Sequence, residues 1–303
     1  MKELKVCENV SGRLDQYLCE NTEYSRSQIQ KLIKDKKVTV NGLSVKSSMS
    51  LKIGDIINIE EVVEDTLSAE PEEMNLDIIY EDDDIIVVNK ANGIVVHPAV
   101  GNNHGTLVNG LVHHSKNLSD INGEFRPGIV HRIDAYTTGL LVVAKNNYAH
   151  EFLARQLEEK TTHRKYIALV WGVINNQTGT IDAPIGRDEN DRKKMAVTAN
   201  NSKHAVTHFK VLERFKEATL IELKLETGRT HQIRVHMNYI GHPVVNDPVY
   251  GSNNIIDKSG QCLHAKELGF IHPKTNNYVE FTCELPDCFI NILNTFKEEG
   301  QHE

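Results

Sequence analysis

Seven apolar segments of strand length follow one another between residues 84 and 285: DIIVVNK, GIVVH, GLLVVAK, KYIALVWGVI, HAVTHFKVLERF, ATLIELKLE and YVEFTCEL. Such runs, rich in valine and isoleucine and bounded by glycine, proline or charge, read as strands. Two stretches keep a helical period instead. NYAHEFLARQLEEK would bury Ala149, Phe152, Leu153 and Leu157, and THQIRVHMNYIG would start at Thr230 as N-cap and stop at Gly241. Strand runs with segregated helices predict an α+β fold, a mixed, mostly antiparallel sheet with flanking helices. This domain is expected over 76–290, with 291–303 a frayed tail.

Ahead of it, residues 1–60 read as a separate small α/β unit. SGRLDQYLCE suits one short helix and SRSQIQKLIKDKK a second, with Ser25 as N-cap and Ile29, Leu32 and Ile33 at helical spacing. VTVNGLSV alternates around Asn41-Gly42, a strong hairpin signal, and IINIE follows Gly54-Asp55 as another strand. Between Arg26 and Lys52 stand seven basic residues (Arg26, Lys31, Lys34, Lys36, Lys37, Lys46, Lys52) against Asp35 alone. A few lysines suit any solvated helix face, but this imbalance over a helix and hairpin favours a phosphate-binding surface. Residues 61–75 lack periodicity, carry Pro71 and are acidic, so they read as a linker kept off RNA by its charge.

The formal charge of −8 would speak against a nucleic-acid partner if it were uniform. It is not: twelve acidic residues and no Lys or Arg lie between Glu60 and Asp84, which leaves the rest of the chain with a positive balance. No apolar run reaches the length of a membrane span and the N-terminus lacks a leader pattern, so the cytoplasm is expected, with no membrane partner. The five cysteines are scattered without a C-x-x-C pair, which predicts free thiols. His231 and His236 are five apart, off the four-residue step of a helical ligand pair, and no H-E-x-x-H occurs, so no metal is expected. Neither glycine-rich nucleotide fingerprint is present, and no cofactor is expected.

The chemistry points to GIVHRIDAYTTGLLVVAKN, Gly128 to Asn146. His131, Arg132 and Asp134 stand there between an apolar triplet and a strand. A turn or cap is the ordinary use of an aspartate at a strand edge, and Thr137, Thr138 and Gly139 suit that account. A second polar run, LETGRTHQIRVHMNYIGHP, brings Arg229, His231, Arg234 and His236 to the start of a helix and suggests an anionic site. A carboxylate drawn into a low-dielectric pocket stays ionised when a cation is paired with it, and Arg234 is a suitable partner.

Two resemblances make this specific. RLDQYL, SRSQIQKLIKDKKVTVNG and LKIGDII resemble the ribosomal-protein-S-four-type RNA-binding domain, which implies RNA contact through the second helix and hairpin, with Arg26, Lys31, Lys34 and Lys37 as candidates. GIVHRIDAYTTGLLVVAKN, RKYIALVWG, IDAPIGRD, AVTHF and LETGRTHQIRVHMNYIGHPVVNDPVYG resemble the RluA/RluD-type pseudouridine synthases, in order and spacing over about residues 76 to 285. VVNKANGIVVHP and GTLVNGLVHH ahead of them look most like the RluD-like branch. The resemblance implies isomerisation of uridine in large-subunit ribosomal RNA or a pre-ribosomal particle; a monomer is expected, although the sequence itself leaves the oligomeric state open. It places the nucleophile at Asp134, its arginine partner at Arg234, and the tyrosine that stacks on uracil at Tyr166. It places Ile233 on the other side of the base and Arg132 where an arginine enters the RNA stack. His131, Arg229 and His231 join these as substrate-binding candidates. Ala135 and Tyr136 depart from the Lys-Asp often found after the nucleophile, and Thr138 replaces serine.

Two other readings compete. A catalytically silent assembly factor is motivated by Ala135-Tyr136, and retention of Asp134, Tyr166 and Arg234 argues against it. A glycosidase would need a second carboxylate beside Asp134, where the motifs supply arginine and histidine.

Overall fold

The computed structural model describes residues 2–7, 13–22, 24, 26–60, 69–98, 102–123, 126–191, 194–251 and 255–299, without the side chains of residues 27, 28, 31 and 299. Ser25, the expected helix cap, and the Lys31 side chain lie outside the described residues, as does the first half of the expected linker. The chain divides into two compact units, Met1–Thr66 and Leu67–Glu303.

The first unit runs β1 (Lys2–Lys5), α1 (Leu14–Asn21), α2 (Arg26–Lys34), β2 (Val38–Val40), β3 (Leu43–Ser44) and β4 (Ile56–Ile59). Its sheet has the order β1-β4-β2-β3, antiparallel throughout. The helical spacing of Ile29, Leu32 and Ile33 turns one face of α2 onto a core of Leu14, Leu18, Val38, Val40, Ile57 and Ile59. Asn41 and Gly42, both at positive φ, form the two-residue turn that lets β2 and β3 pair without splaying.

The second unit runs β5 (Asp77–Glu81), β6 (Ile85–Lys90), α3 (Leu107–His114), β7 (Thr138–Ala144), α4 (Asn147–Glu158), β8 (His163–Trp171), β9 (Thr178–Asp182), β10 (Ile185–Arg187), β11 (Met195–Val197), β12 (Val206–Arg214), β13 (Ala218–Leu225), α5 (Gln232–Tyr239), β14 (Leu263–Ile271), β15 (Tyr278–Thr282) and α6 (Asp287–Glu299). Nine strands form one sheet in the order β5-β6-β7-β14-β8-β13-β12-β9, with β15 added to β14. All its pairings are antiparallel except β7 with β14. β7 is buried along its length and apolar from Gly139 on, with both its faces covered. Leu140, Val142 and Ala144 pack with Ala149 and Leu153 of α4, while Leu141 and Val143 belong to the core that also holds residues of α3, α5 and α6.

Several expectations need correction. GIVVH, residues 93–97, is not a strand: the carbonyls of Val95 and Val96 accept from the first amides of α3, and that of Ile94 accepts from Lys90 Nζ. β14 was hidden by Lys266 and Glu267, which break its apolar run where the strand bulges against β8. The described part of the acidic linker belongs to the second unit: Ala69 is buried, and the Glu72 carboxylate accepts from the Gly105 amide at 2.8 Å and contacts His104. The described part of the expected tail, 291–299, is helix, since α6 continues to Glu299 and buries Phe289, Ile292, Leu293 and Phe296. Of the stripe expected on α4, Ala149 and Leu153 are buried while Phe152 and Leu157 are only half-buried.

Candidate active site

Gly128, Ile129 and Val130 run beside β7, with the Ala144 amide donating to the Gly128 carbonyl at 2.8 Å and a bridge between Ile129 and Val143. The chain then leaves the sheet as a loop, His131 to Thr137, and returns at Thr138. Polar residues between two apolar runs thus belong to an excursion from the sheet, and Asp134 sits on it. Gly139 closes the return: at φ +105°, a Cβ there would lie 2.3 Å from the Ala265 carbonyl oxygen of β14.

Asp134 Oδ2 accepts from Arg234 Nη1 at 2.8 Å. The same guanidinium donates through Nε and Nη2 to both oxygens of Asp247, at 2.7 and 2.8 Å. Asp247 is fully buried and also accepts the amides of Val249 and Tyr250. Burial works against the Arg234 charge, but the hydrogen bonds and charge of Asp247, and then of Asp134, outweigh it and hold its pKa above the ordinary value. The Tyr250 ring lies beneath the guanidinium, 5.0 Å from centroid to Cζ.

Asp134 and Arg234 line a cavity of about 370 Å³, with Asp247 and Tyr250 behind Arg234. Tyr166 on β8 and Ile233 on α5, 7% and 4% exposed, also line it. Burial raises the Tyr166 phenol, Arg164 lowers it and Asp134 raises it again. Arg132, exposed at the cavity, donates through Nη2 to Thr230 Oγ1 at 2.9 Å. Arg229 lines it too, with Nε held by the His204 carbonyl.

The other sequence candidates fare differently. His131 lines the cavity, but its Nε2 accepts from the Val142 amide at 3.1 Å, so the ring secures the loop to β7. Burial, then the charge of Arg164, pushes its pKa down to about 3. His231 is the residue before α5, in left-handed conformation at φ 57°, and replaces Thr230 as N-cap; Thr230 is occupied by Arg132. Its Nδ1 meets the Tyr250 hydroxyl at 2.8 Å, and its Nε2 lies 3.9 Å from Asp134 Oδ1. His236 leaves the site altogether: it is buried between Thr207 Oγ1 and the Ala183 carbonyl. In the first unit Arg26 and Lys34 are exposed and Lys37 is half-buried, with Arg26 Nη2 3.4 Å from the buried Asp15.

Sequence reasoning missed Asp247, Lys90 and Arg164. Lys90, 1% exposed at the end of β6, donates to the carbonyls of Ala91, Ile94 and Ala135 at 2.9, 2.8 and 2.7 Å. A lysine ending an apolar strand reads as a surface residue; only its partners in space reveal that it holds the Asp134 loop. Its contact to residue 135 is to the backbone carbonyl and does not depend on the side chain there.

The chain matches the family described as RNA pseudouridylate synthase over residues 84–239, and the S4 domain over 12–57. An uncharacterized RNA pseudouridine synthase of Bacillus subtilis is 53% identical over 97% of both chains. A ribosomal large subunit pseudouridine synthase D of Neisseria meningitidis is 44% identical over 97% of this chain and 81% of its own. Among solved structures, human RNA pseudouridylate synthase domain containing 1 superposes with a TM-score of 0.58 at 27% identity, covering 76% of this chain and 96% of its own.

Proposed function

The chain belongs to the RNA pseudouridylate synthase family and is an RNA-modifying isomerase, and we propose that its substrate is large-subunit ribosomal RNA. What supports this substrate is near full-length similarity to relatives named ribosomal large subunit pseudouridine synthase D. The observation behind the site assignment is the single guanidinium of Arg234 shared between Asp134 and the buried Asp247, at the wall of a cavity that also holds Tyr166.

The cavity is a place for a uridine taken out of the RNA stack, with Tyr166 against one face of the base and Ile233 against the other. Arg132 at the rim suits the gap left behind, since a planar guanidinium replaces part of the lost stacking. Asp134 is the nucleophile, with one oxygen held by Arg234. It attacks either the anomeric carbon or ring carbon six, and both routes use the ionised carboxylate. The bond from ring nitrogen one to the sugar breaks, the base turns, carbon five bonds to the sugar, and the bond to Asp134 breaks so that its carboxylate is regenerated. Carbon five then gives up its proton, for which Tyr166 is the candidate acceptor, while nitrogen one regains one. The S4 domain supplies RNA affinity through Arg26, Lys31, Lys34 and Lys37.

Carbodiimide mapping of large-subunit ribosomal RNA transcripts, treated with the wild-type protein or Asp134→Asn, tests the reading. Stops with the wild type alone are expected. Salt-sensitive binding without stops in either case would replace it with a silent assembly factor or a different RNA.

A further inference from the structure

Arg164 stands on β8 two residues before Tyr166, on the same face of the strand, and lines the same cavity. It is 8% exposed. Among the described residues its side chain makes no hydrogen bond and no ion pair, and its buried Nε has no partner. Glu158 also lines the cavity, but it is exposed and forms no ion pair with Arg164. The charge of Arg234 is already met by two carboxylates, whereas Arg132 and Arg229 bond only to a hydroxyl and a carbonyl. The cavity therefore carries more positive charge than the protein balances.

Room for this guanidinium is built in. A Cβ on Gly228 would lie 3.0 Å from Arg164 Nη1, closer than ordinary packing. A buried, unpaired arginine is costly to the folded protein, and such a cost persists where binding uses the group. Uracil and ribose are neutral, so the anionic part of an RNA strand is its phosphodiester. The planar fork of arginine suits two oxygens of such a group.

We propose that Arg164 binds a phosphate attached to the nucleotide that enters the cavity, so that the site clamps the RNA backbone as well as the base. This rests on the reading of the cavity as a uridine site. Two sources of the phosphate are open, the 5′ and the 3′ side of that nucleotide.

Calorimetric titration of the full-length protein with uridine, uridine 5′-monophosphate and uridine 3′-monophosphate tests it. We expect one monophosphate to bind about tenfold or more tightly than uridine, which identifies the side. Arg164→Met should bring that ratio close to one, and Arg164→Lys should keep part of it. Because the Arg164 side chain has no partner among the described residues, Arg164→Met should unfold at the same temperature or up to about 4 °C higher. Equal binding of all three by the wild type, including no binding, overturns the proposal. So does an undiminished preference in Arg164→Met, which would assign the phosphate to Arg132 or Arg229, or a loss of stability showing a structural role. The titration needs no turnover, so its outcome is separate from whether ribosomal RNA is modified.

Discussion

Asp247 takes two of the donors of Arg234, Nε and Nη2, and leaves Nη1 directed at Asp134. The buried carboxylate thereby fixes the orientation of the arginine that holds Asp134. Asp247→Asn keeps the shape and one acceptor but leaves a buried guanidinium short of charge. Breaking a buried pair costs about 3–5 kcal/mol, so urea unfolding should register a loss of that order. Arg234 would also present Nη1 less accurately, and pseudouridine formation per unit of folded protein should fall at least about tenfold. Unchanged turnover in the folded fraction would show that Asp134 needs no such support.

Lys90 provides a second hold on the same loop. Burial pushes its ammonium down to about 7, with the charge of Asp134 acting in the other direction. Lys90→Met removes the donor shared by three carbonyls, each of which costs about 1–3 kcal/mol when left buried and unpaired. Reduced stability together with slower modification at saturating RNA is expected, since the loop and not RNA affinity is affected. A rise in KM alone, with kcat preserved, would place Lys90 in RNA binding instead.

How much of this was legible in the sequence depends on how local the signal was. The helix spacing of Ile29, Leu32 and Ile33, the Asn41-Gly42 turn and the apolar run of β7 are near-neighbour patterns, and each appears where such patterns place it. The pairing of Asp134 with Arg234 spans 100 residues, and the motifs exposed it only because both partners sat in conspicuous polar runs. Asp247 lies between Asn246 and Pro248, where an aspartate reads as a turn residue, and Arg164 lies in a polar run at the start of a strand. Their burial is a tertiary fact with no periodic signature. His131 shows the reverse case: a residue in the same conspicuous polar run as Asp134 that secures backbone.

Tyr166→Phe separates stacking from proton transfer. The ring is 7% exposed, and its hydroxyl makes no hydrogen bond among the described residues, so removing the oxygen should leave the unfolding midpoint within about 2 °C of wild type. If the phenol takes the carbon-five proton, turnover should fall by about 10²-fold or more while RNA affinity is unchanged. A Phe variant with wild-type turnover would leave Tyr166 as a stacking surface only, and another group would have to accept the proton.

Three histidines held neutral by their surroundings contribute to the response to acid. Burial holds His264 and His97 down to about 4 and His131 to about 3, in the last two with nearby arginines adding to the effect. Each lies below the ordinary histidine value of about 6.5. Between that value and its own pKa, the unfolded chain binds a proton that the native protein does not. Stability therefore rises with pH across this window and falls as the solution is acidified from about 6.5 towards 4. The slope is about 1.4 kcal/mol per pH unit for each histidine held neutral. His264 is informative because its ring joins Thr138 Oγ1, at 2.8 Å, to Cys283 Sγ, at 3.2 Å, beside the end of the Asp134 loop. Urea unfolding at pH 7.5, 6.0 and 5.0 should show a steady decline for the wild type. His264→Gln should start lower and decline less steeply, by about one proton's worth of slope. Parallel curves for the two proteins would mean that this histidine protonates in the native state without penalty.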